Sequence, residues 1–251
     1  MSKSNAAQNI NGWIIIDKPT GMTSSAVVNK IKWACSARKA GHAGTLDPSA
    51  TGILAIALGE ATKTIPYVTE QVKSYTFEVK WGEATDSDDS DGKIIQTSQM
   101  RPSEQDIIAI LPRFRGEIKQ TPPFFSAVKI NGRRAYELAR SGEDFDIASR
   151  SLFVSSLRLE KYISENSAIL SLECGKGGYV RSIARDLGLE LGCYGHVKWL
   201  RRIASGSFNL SMAHSLDTIL KLNKTSAVNN FILPVELGLS TIKHGTCTST
   251  A

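Results

Sequence analysis

Between Arg38 and Gly59 the chain reads RKAGHAGTLDPSATGILAIALG. One histidine, His42, and one aspartate, Asp47, stand among glycines ahead of an apolar run. On residue types alone Asp47, placed before Pro48, reads as a turn residue, because Asp-Pro opens turns well. His42 reads equally as a surface or packed histidine. If the segment does chemistry, the options are few. There is no Ser/His/Asp order, and a second carboxylate for glycosidase chemistry is not obvious. A lone carboxylate can still attack and form a covalent intermediate. The residues alone therefore allow either a turn or an aspartate nucleophile.

Three other groups bear on that choice. Asp86, Asp88, Asp89 and Asp91 precede Gly92 and suggest a calcium loop. With Gly92 at the sixth position, Ser87 and Ser98 fall where carboxylates are required, so the match fails. A solvated turn remains, or an aspartate that holds an arginine near the active site. GKGGYVR, Gly175 to Arg181, lacks both the P-loop and the dinucleotide spacing. It reads as a glycine-rich turn into a helix, or as a close backbone approach with an aromatic to stack on and an arginine to pair an anion. Basic residues also interleave with aromatics at Arg113-Phe114-Arg115, from Lys129 to Arg140, and from Lys198 to Arg202. Each is a solvated face or a contact for folded RNA, where phosphates position and unstacked bases need a π-face.

Composition narrows the partners. The 251 residues carry a net charge of +6 and a pI near 9.1, which leans towards an anionic partner, nucleic acid first. Hydrophobic residues make up 41% and charged residues 22%, so the chain is expected to be a soluble globular protein. No apolar run approaches the ~18 residues of a membrane span, and MSKSNAAQNINGW has no signal-peptide core. The expected location is the cytoplasm. Cys35, Cys174, Cys193 and Cys247 are scattered, without zinc spacing, and read as free thiols. Neither metal nor cofactor is expected.

The elements that must position these residues follow from pattern. Trp13 to Ile16 reads as a buried strand, Asp17 to Gly21 as a turn. Thr23, Ser24 or Ser25 caps a helix with Val27, Val28, Ile31 and Ala34 inward. Ile53 to Leu58 reads as a strand and Gly59 to Val68 as a helix. Tyr75 to Trp81 alternates as a half-buried strand. Ser103 caps a helix to Leu111. Phe125 to Ile130 reads as a strand closed by Asn131-Gly132, and Arg133 to Arg140 as a helix. Two strands, Leu152 to Ile163 and Ala168 to Cys174, precede a helix from Val180 to Leu191. His196 to Ile203 is a further strand and Ala213 to Leu222 a last helix. The irregular alternation and the hairpins predict an α+β fold, with a mixed, mostly antiparallel central sheet flanked by helices and loops.

The motifs carry a specific resemblance. GHAGTLDPSATGIL resembles the signature loop of the TruB family, the tRNA pseudouridine-55 synthases, at every fixed position. DKPTGMTS, GEATK, KSYTFEVKWGEATDSDDSDG, PPFFSAVKINGRRAYELAR, GKGGYVRSIARDLG and HVKWLRR follow in the family's order. The resemblance spans about residues 12–235, expected as one catalytic domain, with 236–251 a short C-terminal tail.

The resemblance implies an enzyme that isomerises one T-loop uridine of tRNA to pseudouridine, without cofactor or metal, acting as a monomer on the tRNA T-arm. Asp47 matches the catalytic aspartate, as nucleophile or base. Tyr75 matches the aromatic that packs on the flipped base and helps remove the C5 proton. Arg181 matches the arginine that pairs with the aspartate and keeps it ionised. Tyr179 and Leu200 match walls of the uracil pocket. His42 matches the histidine that fills the gap left by the extruded base. Lys18 and Lys63 match contacts to the RNA backbone or loop, and Asp89 an acidic partner that holds Arg181 when no RNA is bound. Where relatives have Ser-Lys-Gly-Thr, this chain has Gly175-Lys176-Gly177-Gly178, which predicts a more mobile turn. Larger relatives carry a PUA domain; the short tail here predicts none, and a steep salt dependence of tRNA binding. The alternative is a tRNA-binding or folding protein whose catalysis is secondary.

Overall fold

The computed structural model describes residues 10–222 and 225–240. Cys247 and the tail beyond 240 lie outside the described residues. The described residues fall into two compact units, 10–71 with 204–222 and 225–240, and 72–203.

In the first unit, the Gly12–Lys18 strand pairs antiparallel with Thr51–Leu58, Trp13 opposite Ala57 and Asp17 opposite Ile53. Ala40–His42 also pairs antiparallel with Thr51–Leu58, and His214–Ser215 lies parallel to Gly12–Lys18. Both faces of this sheet are covered. Ile14, Ile16, Leu54 and Ile56 pack on Val27, Val28 and Ile31 of the Ser24–Ala34 helix. Trp13, Ile15, Ile53, Ala55 and Ala57 pack on Ala61, Val68 and Phe208. Two-sided burial explains why Ile53 to Leu58 is continuously apolar and does not alternate.

In the second unit the strands run in the order Gly195–Ser205, Lys73–Trp81, Ser167–Cys174, Arg150–Ser164, Gly116–Gln120. The last four pair antiparallel. Here alternation holds: Tyr75, Phe77, Val79 and Trp81 point into a core completed by Ile183, Ala184 and Leu187 of the Val180–Glu190 helix. The fold class is α+β, with mixed and mostly antiparallel pairing, as the pattern predicts.

Caps were legible. Thr23 accepts from the Ala26 N–H, and Ser103 forms a capping box with Asp106. Other boundaries differ. Only Lys129–Ile130 of the expected Phe125–Ile130 strand pairs, with Arg133–Arg134 across the Asn131-Gly132 turn. The helix therefore starts later, at Ala135, because Arg133 and Arg134 are used as strand. The stretch after Leu58 is a 3₁₀ segment, Gly59–Thr64, before the α-helix Ile65–Glu70. Pro66 accounts for the break, since its ring suits a helix start and not an interior. A further 3₁₀ helix, Val235–Leu239, places Val235 and Leu237 beside the Trp13 cluster.

Candidate active site

In the first unit Asp47 sits in the loop joining Ala40–His42 to Thr51–Leu58. Its carbonyl accepts from the Ala50 N–H at 3.1 Å, so its main chain does form a turn. The loop is anchored on both sides of the aspartate. Before it, the Leu46 N–H donates to Ser24 Oγ, and that hydroxyl donates back to the Leu46 carbonyl, both at 2.9 Å. After it, the Pro48 carbonyl accepts from the Gly21 N–H at 2.8 Å and from Lys18 Nζ at 3.1 Å. Gly21 has φ +82°, a conformation an L side chain would resist. The carboxylate itself is half-buried.

Lys18, expected at the RNA, is fully buried. Its ammonium also donates to the carbonyls of Pro19 at 2.8 Å and Met22 at 2.7 Å. A buried cation is tolerated only when such acceptors replace water, so here it clamps the turn to the aspartate loop. His42 ends its short strand opposite Ile56 and is half-buried. Lys63 is largely exposed and pairs with Glu60. Arg38 and Lys39 add to the positive field at Glu60 and, with Lys63, hold its carboxyl below the usual range.

In the second unit Arg181 stands in the first turn of the Val180–Glu190 helix, with its side chain 6% exposed. Its guanidinium donates to the Ser87 carbonyl at 2.9 Å and the Phe125 carbonyl at 3.0 Å. Its Nε lies 3.6 Å from an Asp89 carboxylate oxygen. The acidic loop is therefore an arginine holder rather than a solvated turn. Its main chain is bridged to the Gly195–Ser205 strand: the Val197 N–H donates to the Asp88 carbonyl, and the Ser90 N–H to the Val197 carbonyl, both at 3.0 Å. Asp88 adopts φ +62° and turns towards Arg185, whose Nη1 donates to it at 2.9 Å. Burial pushes the Asp88 carboxyl up to about 6, against the pull of Arg185 and Arg181. Burial raises Asp89 too, opposed by the Ser87 hydroxyl at 2.5 Å and by Arg181.

Tyr75 is 8% exposed and lies on the core face of its strand, opposite Leu172. Leu200 packs against the same core. Tyr179 precedes the helix, its main chain held by Gln120. Within this unit, then, Asp89 and Arg181 meet, and Arg181 and Tyr179 share one helix start. Ser24, Ser87, Asp88 and Arg185 lie within the motifs but carry no sequence signal for these contacts, except that Ser24 reads as a helix cap; Gln120 lies outside every motif. Among the described residues no cluster of three metal-ligating side chains occurs, and no helix is long and apolar enough to cross a membrane. Burial pushes Cys35 up to about 11 and Cys174 up to about 12, which leaves both thiols protonated and unreactive at neutral pH.

The arrangement offers a carboxylate on a fixed loop in one unit. In the other it offers a guanidinium, two tyrosines and an apolar wall. Residues 32–180 match the TruB family pseudouridylate synthase N-terminal domain, and residues 181–240 the tRNA pseudouridylate synthase B C-terminal domain. A tRNA pseudouridine synthase B from Ruegeria pomeroyi is 52% identical over 247 residues, 98% of this chain and 82% of the relative. One from Cereibacter sphaeroides is 54% identical over 240 residues, 96% and 80% of the two chains. Among solved structures, a chain of a Cbf5-Nop10-Gar1 complex superposes with a TM-score of 0.70 at 28% identity, covering 90% of this chain and 61% of that one. A chain of an H/ACA RNP bound to a substrate RNA containing 2′-deoxyuridine gives 0.67 at 26%, covering 90% and 60%. With a family match over most of its length and relatives above half identity along nearly all of it, this chain belongs to the TruB family of pseudouridylate synthases.

Proposed function

We propose that the chain isomerises the uridine at position 55, in the T-loop of tRNA, to pseudouridine. One observation carries this reading: relatives named tRNA pseudouridine synthase B share 52–54% identity with it across 96–98% of its length. The target nucleotide leaves its stack at a cost of about a few kcal/mol, and His42 occupies the vacancy. Asp47 acts on the ribose: as nucleophile it bonds to C1′ as N1 leaves and is displaced again when C5 attacks; as base it takes the C2′ proton and returns it when C5 bonds. The C1′–N1 bond breaks, its electron pair leaving with the uracil. The ring turns, and C5 bonds to C1′. The C5 proton is then lost with help from Tyr75, and N1 gains one, so atoms and electrons balance without oxidant, reductant or water. Tyr179 and Leu200 wall the uracil, Arg181 supports the reacting carboxylate's charge, and Lys63 meets the RNA backbone. One chain acts alone, in the cytoplasm where tRNA is processed.

The test is to incubate the protein with an unmodified tRNA transcript and map pseudouridine at nucleotide resolution. Modification at position 55 is expected from the wild type. Asp47→Asn should form none while still binding tRNA. Modification elsewhere would overturn the assignment of the site, and turnover by Asp47→Asn would remove the aspartate from the chemistry. A wild type that binds tRNA without modifying it would favour an RNA-folding role.

A further inference from the structure

The turn that delivers Tyr179 and Arg181 is rich in glycine. Gly175-Lys176-Gly177-Gly178 contains three glycines, Gly177 has φ +78°, and Tyr179 starts the helix without a side-chain cap. A Cβ on Gly178 would stand 2.6 Å from Cys174 Sγ, so the turn cannot gain side chains there without displacing the core. A turn of this composition should leave the following residue poorly fixed.

Gln120 supplies what the turn lacks. It is the last residue of the Gly116–Gln120 strand and is 3% exposed. Its side-chain carbonyl accepts from the Tyr179 N–H at 2.9 Å, and its NH₂ donates to the Tyr179 carbonyl at 3.1 Å. One planar amide thus brackets both main-chain groups of a single residue, which fixes the peptide planes on either side of it. The residues after Gln120 continue the brace. Ser182 Oγ donates to the Thr121 carbonyl at 2.7 Å and Arg185 Nη2 donates to the same oxygen at 2.9 Å. The Phe125 carbonyl takes Arg181 Nη2 at 3.0 Å. The helix start is therefore held by the 120–125 segment.

We propose that Gln120 is a positioning residue for the reaction, setting the directions of the Tyr179 and Arg181 side chains through the Tyr179 main chain. The inference rests on the reading above, in which those two residues serve the flipped uridine. Gln120 touches no reacting atom, so its loss should act on turnover and not on docking of the tRNA. An error of about 1 Å in such a group costs roughly tenfold to a hundredfold in rate.

The experiment uses the full chain and a tRNA transcript. Gln120→Leu removes both bonds at nearly constant volume. Gln120→Glu keeps the acceptor for the Tyr179 N–H and loses the donor, and serves if the leucine variant folds poorly. The expected result is a kcat lowered about tenfold or more in Gln120→Leu and less in Gln120→Glu, with KM for tRNA within about twofold of the wild type. In a Tyr179→Ala background, Gln120→Leu should lower kcat by clearly less than it does alone, because part of what it positions is gone. Wild-type kcat in folded Gln120→Leu, a loss that appears in KM alone, or full additivity with Tyr179→Ala would overturn the inference. So would a loss explained entirely by the unfolded fraction in both variants. A wild type that forms no pseudouridine would instead overturn the reading of function.

Discussion

The Asp47 loop and the Arg181 helix start are held by different physics. Around Asp47 the fixing bonds are to main chain: Ser24 grips Leu46 at both its N–H and its carbonyl, and Gly21 and Lys18 grip Pro48. Lys18 is the one charge among these anchors, and the three acceptors named for it are carbonyls. Around Arg181 the bonds include a carboxylate, Asp89, and beside it a second ion pair, Asp88 with Arg185. A lattice of backbone bonds has one arrangement and resists exchange. A buried ion pair is a near balance between desolvation and attraction, so a competing anion can change partners with it. The loop beside Asp47 is thus tied to carbonyl and hydroxyl partners, whereas Arg181 divides its guanidinium between two carbonyls and a carboxylate.

Variants can break this contrast. Arg181→Met should have the largest effect, because it strands two carbonyls and the buried Asp89. We expect a loss of about 3–5 kcal/mol in stability, read by denaturant unfolding. An Asp89→Asn, Arg181→Met double variant should recover part of it; no recovery would show that Asp89 is not the stranded charge. Lys18→Met comes next, at roughly 3 kcal/mol, since a charged donor to buried carbonyls is lost. Were it to cost no more than a surface lysine, the clamp would be ruled out. Ser24→Ala should cost about 1–2 kcal/mol, as the Leu46 N–H and carbonyl both lose a partner. It should also lower kcat while leaving Arg181-dependent properties alone.

The smallest effect sharpens the contrast through pH. The folded Asp88 carboxyl sits near 6, above the 3.8 of an ordinary aspartate. The folded state therefore binds the extra proton, and this group's contribution is full below the unfolded value and lost as pH rises through 6. Moving from pH 7 to pH 5 should stabilise the wild type by about 1 kcal/mol relative to Asp88→Asn. Asparagine also tolerates the left-handed backbone there. Unfolding midpoints of both proteins at the two pH values test this, and parallel pH dependence would refute it.

Much of the architecture was readable from local pattern. Two-sided burial leaves an unbroken apolar run, Ile53 to Leu58, and one-sided burial leaves alternation, Tyr75 to Trp81. Thr23 and Ser103 announced their helices because capping is decided within four residues. Misreadings came where a short strand and a helix share residues, as at Arg133 and Arg134. The strand Gly116–Gln120 went unread because GEIKQ has one apolar residue, Ile118, and its pairing with Arg150–Ser164 is what orders it.

The sequence by itself determined the family, because its motifs stand in order, and Asp47, Tyr75 and Arg181, which we propose for the chemistry, each lie inside one of them. It also determined the elements that carry them. Tertiary structure alone decided the partners. Beyond the Asp89–Arg181 pair that the resemblance implies, it set Lys18 under the aspartate loop, gave Asp88 to Arg185, and put Gln120 on Tyr179, 59 residues away. The physical reason is reach: a cap or an alternating strand is fixed by neighbours in the chain. A buried donor instead finds whichever acceptor the returning chain brings within about 3 Å, and no local spacing encodes which that is.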